Sequence, residues 1–82
     1  MNLEPEKERE FGVQPLDAVL KTLGLGNPDL VRVSKEQLTH KVVQKGRKGR
    51  FLTPSAKHKI LNALNQLHKE KVFNMKELFN YE

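Results

Sequence analysis

The 82-residue sequence contains no cysteine and no tryptophan, and only five of its residues are aromatic. Without cysteine, neither a disulfide framework nor thiolate ligation of zinc is available to hold the fold together. A chain below the usual ~100–200 residues per domain has room for one core. We therefore expect a single small cytoplasmic domain whose core is built from Leu, Val, Ile and Ala.

The sequence also lacks long apolar runs and recognisable catalytic motifs. Nothing in it approaches the ~20 apolar residues of a membrane span, and its first residues are acidic where a signal peptide would be basic. The spacing of His40, His58 and His68 fits no zinc motif, and nucleophile and phosphate-loop motifs are absent. The sequence therefore predicts no enzyme activity, metal, cofactor, small-molecule substrate or membrane association.

What the sequence does contain is a segregated positive charge. The formal net charge is +5, but residues 32–59 carry nine lysines and arginines against a single glutamate, a net charge of +8. The rest of the chain is therefore acidic on balance. Charge separated in this way creates a field that attracts polyanions. Nucleic acid is the leading partner that this pattern indicates; an anionic membrane would fit the same charge less well and is not the expected partner.

Hydrophobic spacing and capping residues predict helices and no strand. The first helix begins at Pro15, where leucines and a valine recur at i, i+3, i+4 and i+7, and it ends near Gly24 or Gly26. The second follows the start signal Asn27-Pro28 and spans about residues 28–34. The expected fold class is all-α, a compact four- to five-helix bundle.

Two further helix starts lie in the second half of the chain. Thr53-Pro54 begins the longest helix, which runs to about His68, and Asn74 with Glu77 is a capping pair for a short closing turn. Residues 1–12 are expected to form a flexible acidic arm. Residues 13–82 are expected to form the domain.

The third helix is the main functional candidate. Ser34 is expected to cap it, and it is expected to span about residues 35–45 and to end at Gly46. With its apolar residues buried, the opposite ridge presents side chains that pair with base edges, because Gln matches adenine N6 and N7 while Lys and His donate to guanine. The same residue types also occur on any exposed helix face. The predicted base-contacting residues are Gln37, His40, Lys41 and Gln44.

The segment 46–50 that follows is dense in cations. Functionally, Arg47, Lys48 and Arg50 would contact phosphates beside the inserted helix and supply salt-sensitive affinity. The alternative is a solvated loop, or a short basic patch of the localisation or heparin-binding type. Its position between a polar-ridged helix and a helix amino terminus favours phosphate contact.

The order of these parts resembles the lambda-repressor-like (Xre/Cro) helix-turn-helix domains over roughly residues 15–81. The residues that carry the resemblance are the Leu-Gly-Leu that ends helix one, the span 29–47, Leu52-Thr53-Pro54, the segment 60–65 and the tail 75–81. The family commonly has a glycine in the turn between helices two and three. Here Val33-Ser34-Lys35 has none and looks about a residue short, which leaves the rotation of helix three open.

The resemblance implies that helix two braces the DNA backbone while helix three enters the major groove. The resemblance assigns base contact to Gln37, His40, Lys41 and Gln44. It assigns phosphate contact to Asn27, Lys35, Lys45, Arg47, Lys48 and Arg50, with Thr53 as a weaker candidate.

The expected function is therefore sequence-specific binding of double-stranded DNA by a small transcriptional regulator. One alternative is a protein-interaction module, antitoxin-like or a scaffold, that holds an acidic partner. Another alternative is RNA binding. Recognition of single-stranded RNA usually uses stacking aromatic side chains, and the basic segment has a single aromatic residue, Phe51, which disfavours this alternative. One helix reads few base pairs, so a homodimer is also considered, with Phe73, Phe79 and Tyr81 assigned either to the core or to that contact.

Overall fold

The computed structural model describes residues 10–81 of the chain. Within this range the protein is all-α and has no strand, apart from one isolated antiparallel bridge between Glu10 and Arg50. The all-α class predicted from the sequence is confirmed. The five helices are α1 (Pro15–Leu23), α2 (Asn27–Val33), α3 (His40–Lys48), α4 (Pro54–Leu67) and α5 (Met75–Leu78).

Helices α1, α4 and α5 begin and end where local signals placed them. Gly24 closes α1 in the left-handed conformation, with φ of 71°. The Thr53 hydroxyl caps α4 by accepting a hydrogen bond from the Ala56 amide. Asn74 and Glu77 form the expected reciprocal capping box of α5.

The predicted start of the third helix is wrong. Helix α3 begins at His40, because the Thr39 hydroxyl accepts a hydrogen bond from the Val42 amide and acts as the cap. Ser34 instead ends α2, and its hydroxyl accepts from the Glu36 amide in a local turn. Gln37 has φ of 61°, which an α-helix does not allow. Residues 34–39 therefore connect the two helices, and the turn is longer than the sequence suggested.

The predicted end of this helix is also wrong. Gly46 lies inside α3, where it is buried and permits close packing: a methyl group there would lie 3.1 Å from Leu52 Cδ1 and 3.2 Å from Ile60 Cδ1. The helix ends only at Gly49, which has φ of 94°. The expected basic loop is thus mainly the last turn of α3.

The core lies where all five helices meet. Val43 on α3 is fully buried, and Leu38 reaches the core from the connection before α3. Phe73 and Phe79, which the sequence left between core and dimer contact, are both buried. The buried apolar residues are Leu16, Leu20, Leu30, Leu38, Val43, Leu52, Ile60, Ala63, Leu64, Phe73, Leu78 and Phe79.

The segment before α1 packs on the bundle. The Phe11 amide donates to the Gly49 carbonyl at 2.7 Å, and the Phe11 ring stacks on Tyr81 with centroids 4.0 Å apart. Residues 10–12, assigned to the acidic arm from the sequence, therefore belong to the folded unit. The rest of the predicted arm, residues 1–9, lies outside the described residues.

Gln14 joins the two ends of the folded unit. It is 1% exposed, its amide nitrogen donates to the Gly12 carbonyl at 2.9 Å, and its oxygen accepts from the Asn80 amide at 2.7 Å. A buried polar group that loses its partner costs about 1–3 kcal/mol. Gln14 therefore holds the amino-terminal segment and the carboxyl terminus together.

We expect Gln14→Ala to lower the free energy of unfolding by about 2 kcal/mol, because it removes a fully buried side chain together with its hydrogen bonds to the Gly12 carbonyl and the Asn80 amide. Urea unfolding followed by circular dichroism measures the change. The control is Gln66→Ala at an exposed position of α4, which should change stability by less than about 0.5 kcal/mol. Equal stability of the two variants would contradict the role given to Gln14.

Candidate nucleic-acid interface

Four polar side chains share the outer face of α3. Lys41, Gln44, Lys45 and Lys48 recur at i, i+3, i+4 and i+7, the spacing that places residues on one side of a helix, and all four are exposed. Together with Arg50 they line a shallow concavity of about 240 Å³. We call this set the α3 face.

The α3 face points outward because the other side of the helix is occupied. Val43 and Gly46 are buried, and Gly46 sits against Leu52 and Ile60. A β-carbon at position 46 would push the helix outward. The orientation of the α3 face is therefore fixed by the core.

The α3 face carries charge that the fold does not neutralise. Within residues 10–81, no carboxylate lies within 4.0 Å of the amino groups of Lys41, Lys45 or Lys48. Helix α3 itself contains no acidic residue. Arg50 alone has an acidic partner, Glu10, at 3.6 Å. A concave surface with uncompensated cations attracts a polyanion and raises its local concentration.

A chain of polar contacts links α1, α2 and α3 beside this face. Arg47 Nε donates to Asp17 Oδ1 at 2.6 Å, and its terminal nitrogen donates to Asn27 Oδ1 at 2.7 Å. Asn27 Nδ2 in turn donates to Gln44 Oε1 at 3.0 Å. We call these four residues the relay. It ties the position of Gln44 to the packing of three helices.

The relay changes the interpretation of two predicted phosphate contacts. The Arg47 side chain is only 15% exposed and its guanidinium is shared between Asp17 and Asn27, so it is not free for a phosphate in this structure. The Asn27 side chain uses both its oxygen and its nitrogen within the relay. Asn27 is also the first residue of α2 rather than its cap, which is Gly26.

The hydrogen bond from Arg47 lowers the pKa of Asp17 below its ordinary value of 3.8, and Lys21 adds to this effect against the opposing effect of burial. A folded-state pKa below the unfolded one means that the ionised pair stabilises the fold above the unfolded pKa. That contribution is lost as the pH falls below 3.8 toward the folded-state pKa.

We expect Asp17→Asn to lower the free energy of unfolding at neutral pH by about 1–2 kcal/mol, because Arg47 loses a charged partner in a largely buried place. The difference from wild type should shrink as the pH falls below 3.8. Urea unfolding at a series of pH values measures it. Lys21→Gln, which removes the charge of a side chain that is 71% exposed, should have little effect at any pH. A pH-independent difference for Asp17→Asn would contradict the assignment.

The other predicted residues do not line the α3 face. His40 is the first residue of α3 and is exposed, while Gln37 is exposed in the connection and is not part of the helix. Lys35 lines a different concavity, shared with Asn62 and Gln66 of α4. Thr53 is exposed, but its hydroxyl is engaged as the cap of α4. The structure thus brings Lys41, Gln44, Lys45, Lys48 and Arg50 together and leaves these four outside.

Sequence reasoning missed Asp17 and Val13. Asp17 lies 30 positions from Arg47, so no local spacing reveals the pair. Val13 is 69% exposed and lines a second concavity with Gln44 and Lys48. The only sequence feature that points to Val13 is its position as an apolar residue just before the first helix.

No protein family, curated protein or solved structure compared with this chain matches it. In the part of the chain from residue 10 to residue 81, no three His, Asp or Glu side chains are placed to hold a metal ion. None of the helices there has the length and apolar content of a membrane span. Among residues 10–81, the α3 face is therefore the candidate functional site.

Proposed function

We propose that this chain is a lambda-repressor-like helix-turn-helix protein that binds double-stranded DNA sequence-specifically and acts as a small transcriptional regulator. The observation that carries the proposal is the α3 face, which combines three lysines without acidic partners among residues 10–81 and an oriented amide on one exposed helix face. Phosphates require the cations, and base edges require hydrogen-bonding side chains.

The dimensions suit the major groove. An α-helix with its side chains is about 10–12 Å across, which fits the major groove of B-DNA at about 12 Å wide, and the nine residues of α3 extend roughly 13 Å at ~1.5 Å per residue. In the proposed complex, Lys41 and Gln44 face base edges. Lys45, Lys48 and Arg50 contact the phosphates on either side. No contact is assigned to His40, Gln37, Lys35 and Thr53, which do not line the α3 face. A second copy of the chain would supply a second half-site.

Binding titrations at different salt concentrations distinguish the two roles assigned to α3, contact with phosphates and contact with bases. We expect Lys45→Gln to weaken binding to all duplexes alike and to reduce the slope of log affinity against log salt by roughly one. We expect Gln44→Ala to keep that slope and to reduce discrimination between duplexes that differ by one base pair. Fluorescence anisotropy with labelled duplexes measures both quantities.

The control is Lys76→Gln on α5, which removes the same charge from a helix that does not line the α3 face. It should keep the wild-type slope. Equal effects of Lys45→Gln and Lys76→Gln would contradict the assigned site. Tight binding to an acidic protein, with DNA bound only at low salt, would favour a protein-interaction module instead.

A further inference from the structure

The chemistry of the relay fixes the orientation of two side-chain amides. A guanidinium only donates hydrogen bonds, so the Asn27 atom 2.7 Å from Arg47 must be its oxygen. The Asn27 nitrogen is then the atom 3.0 Å from Gln44, and the Gln44 atom facing it must be an acceptor, its oxygen. The orientation of Gln44 thus follows from Arg47 through Asn27.

The contact between Asp17 and Arg47 holds one end of the relay in place. Arg47 is 15% exposed and Asp17 is 20% exposed, and their contact is a short charge-assisted hydrogen bond of 2.6 Å. Such bonds are stronger than those between neutral groups. Arg47 therefore has little freedom to turn away from Asn27, and only the last link, from Asn27 to Gln44, is exposed to solvent.

The consequence is a surface that offers hydrogen-bond donors. Asn27 engages one of the two lone pairs of the Gln44 oxygen and holds that oxygen toward α2, so the NH₂ group is the part of the amide that is offered to a ligand. The other members of the α3 face are lysines and an arginine, which have no acceptor. In the major groove, guanine presents two neighbouring acceptors, O6 and N7, and no donor. Thymine presents a single acceptor, O4, beside its methyl group, and adenine and cytosine each present an amino group, so guanine is the best match for donors alone.

We propose that the relay sets Gln44 as an outward-facing donor, so that the base it reads is guanine rather than adenine. This inference rests on the proposed function and adds the base class to it. It differs from the paired donor-and-acceptor contact to adenine that a glutamine makes when its amide is free. Asp17, Arg47 and Asn27 are positioning residues, since they act through Gln44.

A single substitution should reverse the direction of the hydrogen bond between residue 27 and Gln44. In Asn27→Asp, one carboxylate oxygen accepts from Arg47 and the other faces Gln44, but a carboxylate has no hydrogen to donate. The Gln44 amide then turns its NH₂ group inward and its oxygen outward. An outward oxygen accepts from the amino group of adenine or cytosine. Asn27→Asp should therefore change the preferred base at one position.

Asn27→Ala is the matched control, because it frees Gln44 without reversing it. We expect preference for guanine at that position to fall by roughly five- to tenfold, the size of one net hydrogen bond. Overall affinity for DNA should persist, since the lysines of the α3 face are unchanged. Thermal unfolding of both variants checks that the bundle is intact.

The orientation is testable in the free protein by nuclear magnetic resonance. In Asn27→Asp, the side-chain NH₂ of Gln44 gains a carboxylate partner, so its proton resonances should move downfield and exchange more slowly than in wild type. In Asn27→Ala neither change should occur. Unchanged Gln44 resonances in Asn27→Asp would overturn the relay whatever the protein binds.

The base preference is tested by selecting duplexes from a randomised pool with wild type, Asn27→Asp, Asn27→Ala and Gln44→Ala. Wild type should enrich guanine at a position that Gln44→Ala leaves unspecified, and Asn27→Asp should enrich adenine or cytosine there. Enrichment of the same base by wild type, Asn27→Asp and Asn27→Ala would overturn the inference while DNA binding stands. No enriched motif with wild type would overturn the proposed function together with the base preference.

Discussion

Gly49→Ala is expected to lower the free energy of unfolding by about 3 kcal/mol or more, which is most of the stability of a domain this small. Gly49 has φ of 94°, a conformation that side chains with a β-carbon rarely adopt. A methyl group there would also overlap the backbone carbonyl of Gly12. The substitution therefore disrupts both the end of α3 and the docking of residues 10–14.

Gly24→Ala is the control for the conformational part of this effect. Gly24 has φ of 71°, but a methyl group there meets nothing within 4 Å. Its expected cost is about 1–2 kcal/mol, that of a left-handed residue alone. Urea unfolding of both variants, followed by circular dichroism, gives the difference. Equal effects would show that the close approach of Gly12 to Gly49 is unimportant for stability.

Replacing Lys41, Lys45 and Lys48 together by glutamine is expected to weaken binding to duplex DNA about 100-fold at near-physiological salt. Lys45 and Lys48 contact phosphates in the proposed complex, so their loss should reduce the slope of log affinity against log salt by roughly 0.9 each, about 1.8 together, while the loss of Lys41 removes a base contact. Anisotropy titrations over a series of salt concentrations measure both quantities. Glutamine retains hydrogen bonding and helix propensity, so the fold should be unaffected.

The matched control replaces Lys59, Lys69 and Lys76 by glutamine; among residues 10–81 these lysines have no carboxylate within 4.0 Å, and they do not line the α3 face. It lowers the net charge by the same amount. Because the two triple variants share one net charge, any difference between them reports the position of the lysines. If both weaken DNA binding equally, the attraction comes from overall charge and the α3 face has no special role.

Helices α1, α4 and α5 were predictable because their signals are local. Helix α1 has Pro15 and an apolar stripe, α4 has the Thr53 cap, Pro54 and an apolar stripe, and α5 has the capping pair of Asn74 and Glu77. The predicted start of α3 was wrong because Ser34 and Thr39 are both suitable caps in the sequence. The choice between them depends on Leu38 entering the core and on Gly46 packing against α4, interactions with residues far along the chain.

The candidate site was predictable in part for the same reason. Lys41 and Gln44 share a helix face under either start of α3, because their separation is unchanged. Whether Gln37 belongs to this face depends on where the helix begins, and Gln37 lies before the first residue of α3. The engagement of Arg47 by Asp17 joins residues 30 positions apart, so a cation that looks free in the sequence is part of the fold.

The most direct test of DNA binding is selection from a randomised double-stranded pool at near-physiological salt, with sequencing of what the purified wild-type chain retains. We expect an enriched motif, and an inverted repeat within it would indicate a two-fold dimer. Retention without any enriched motif, or no retention at all, would contradict sequence-specific DNA binding and would leave α3 as an element of the scaffold.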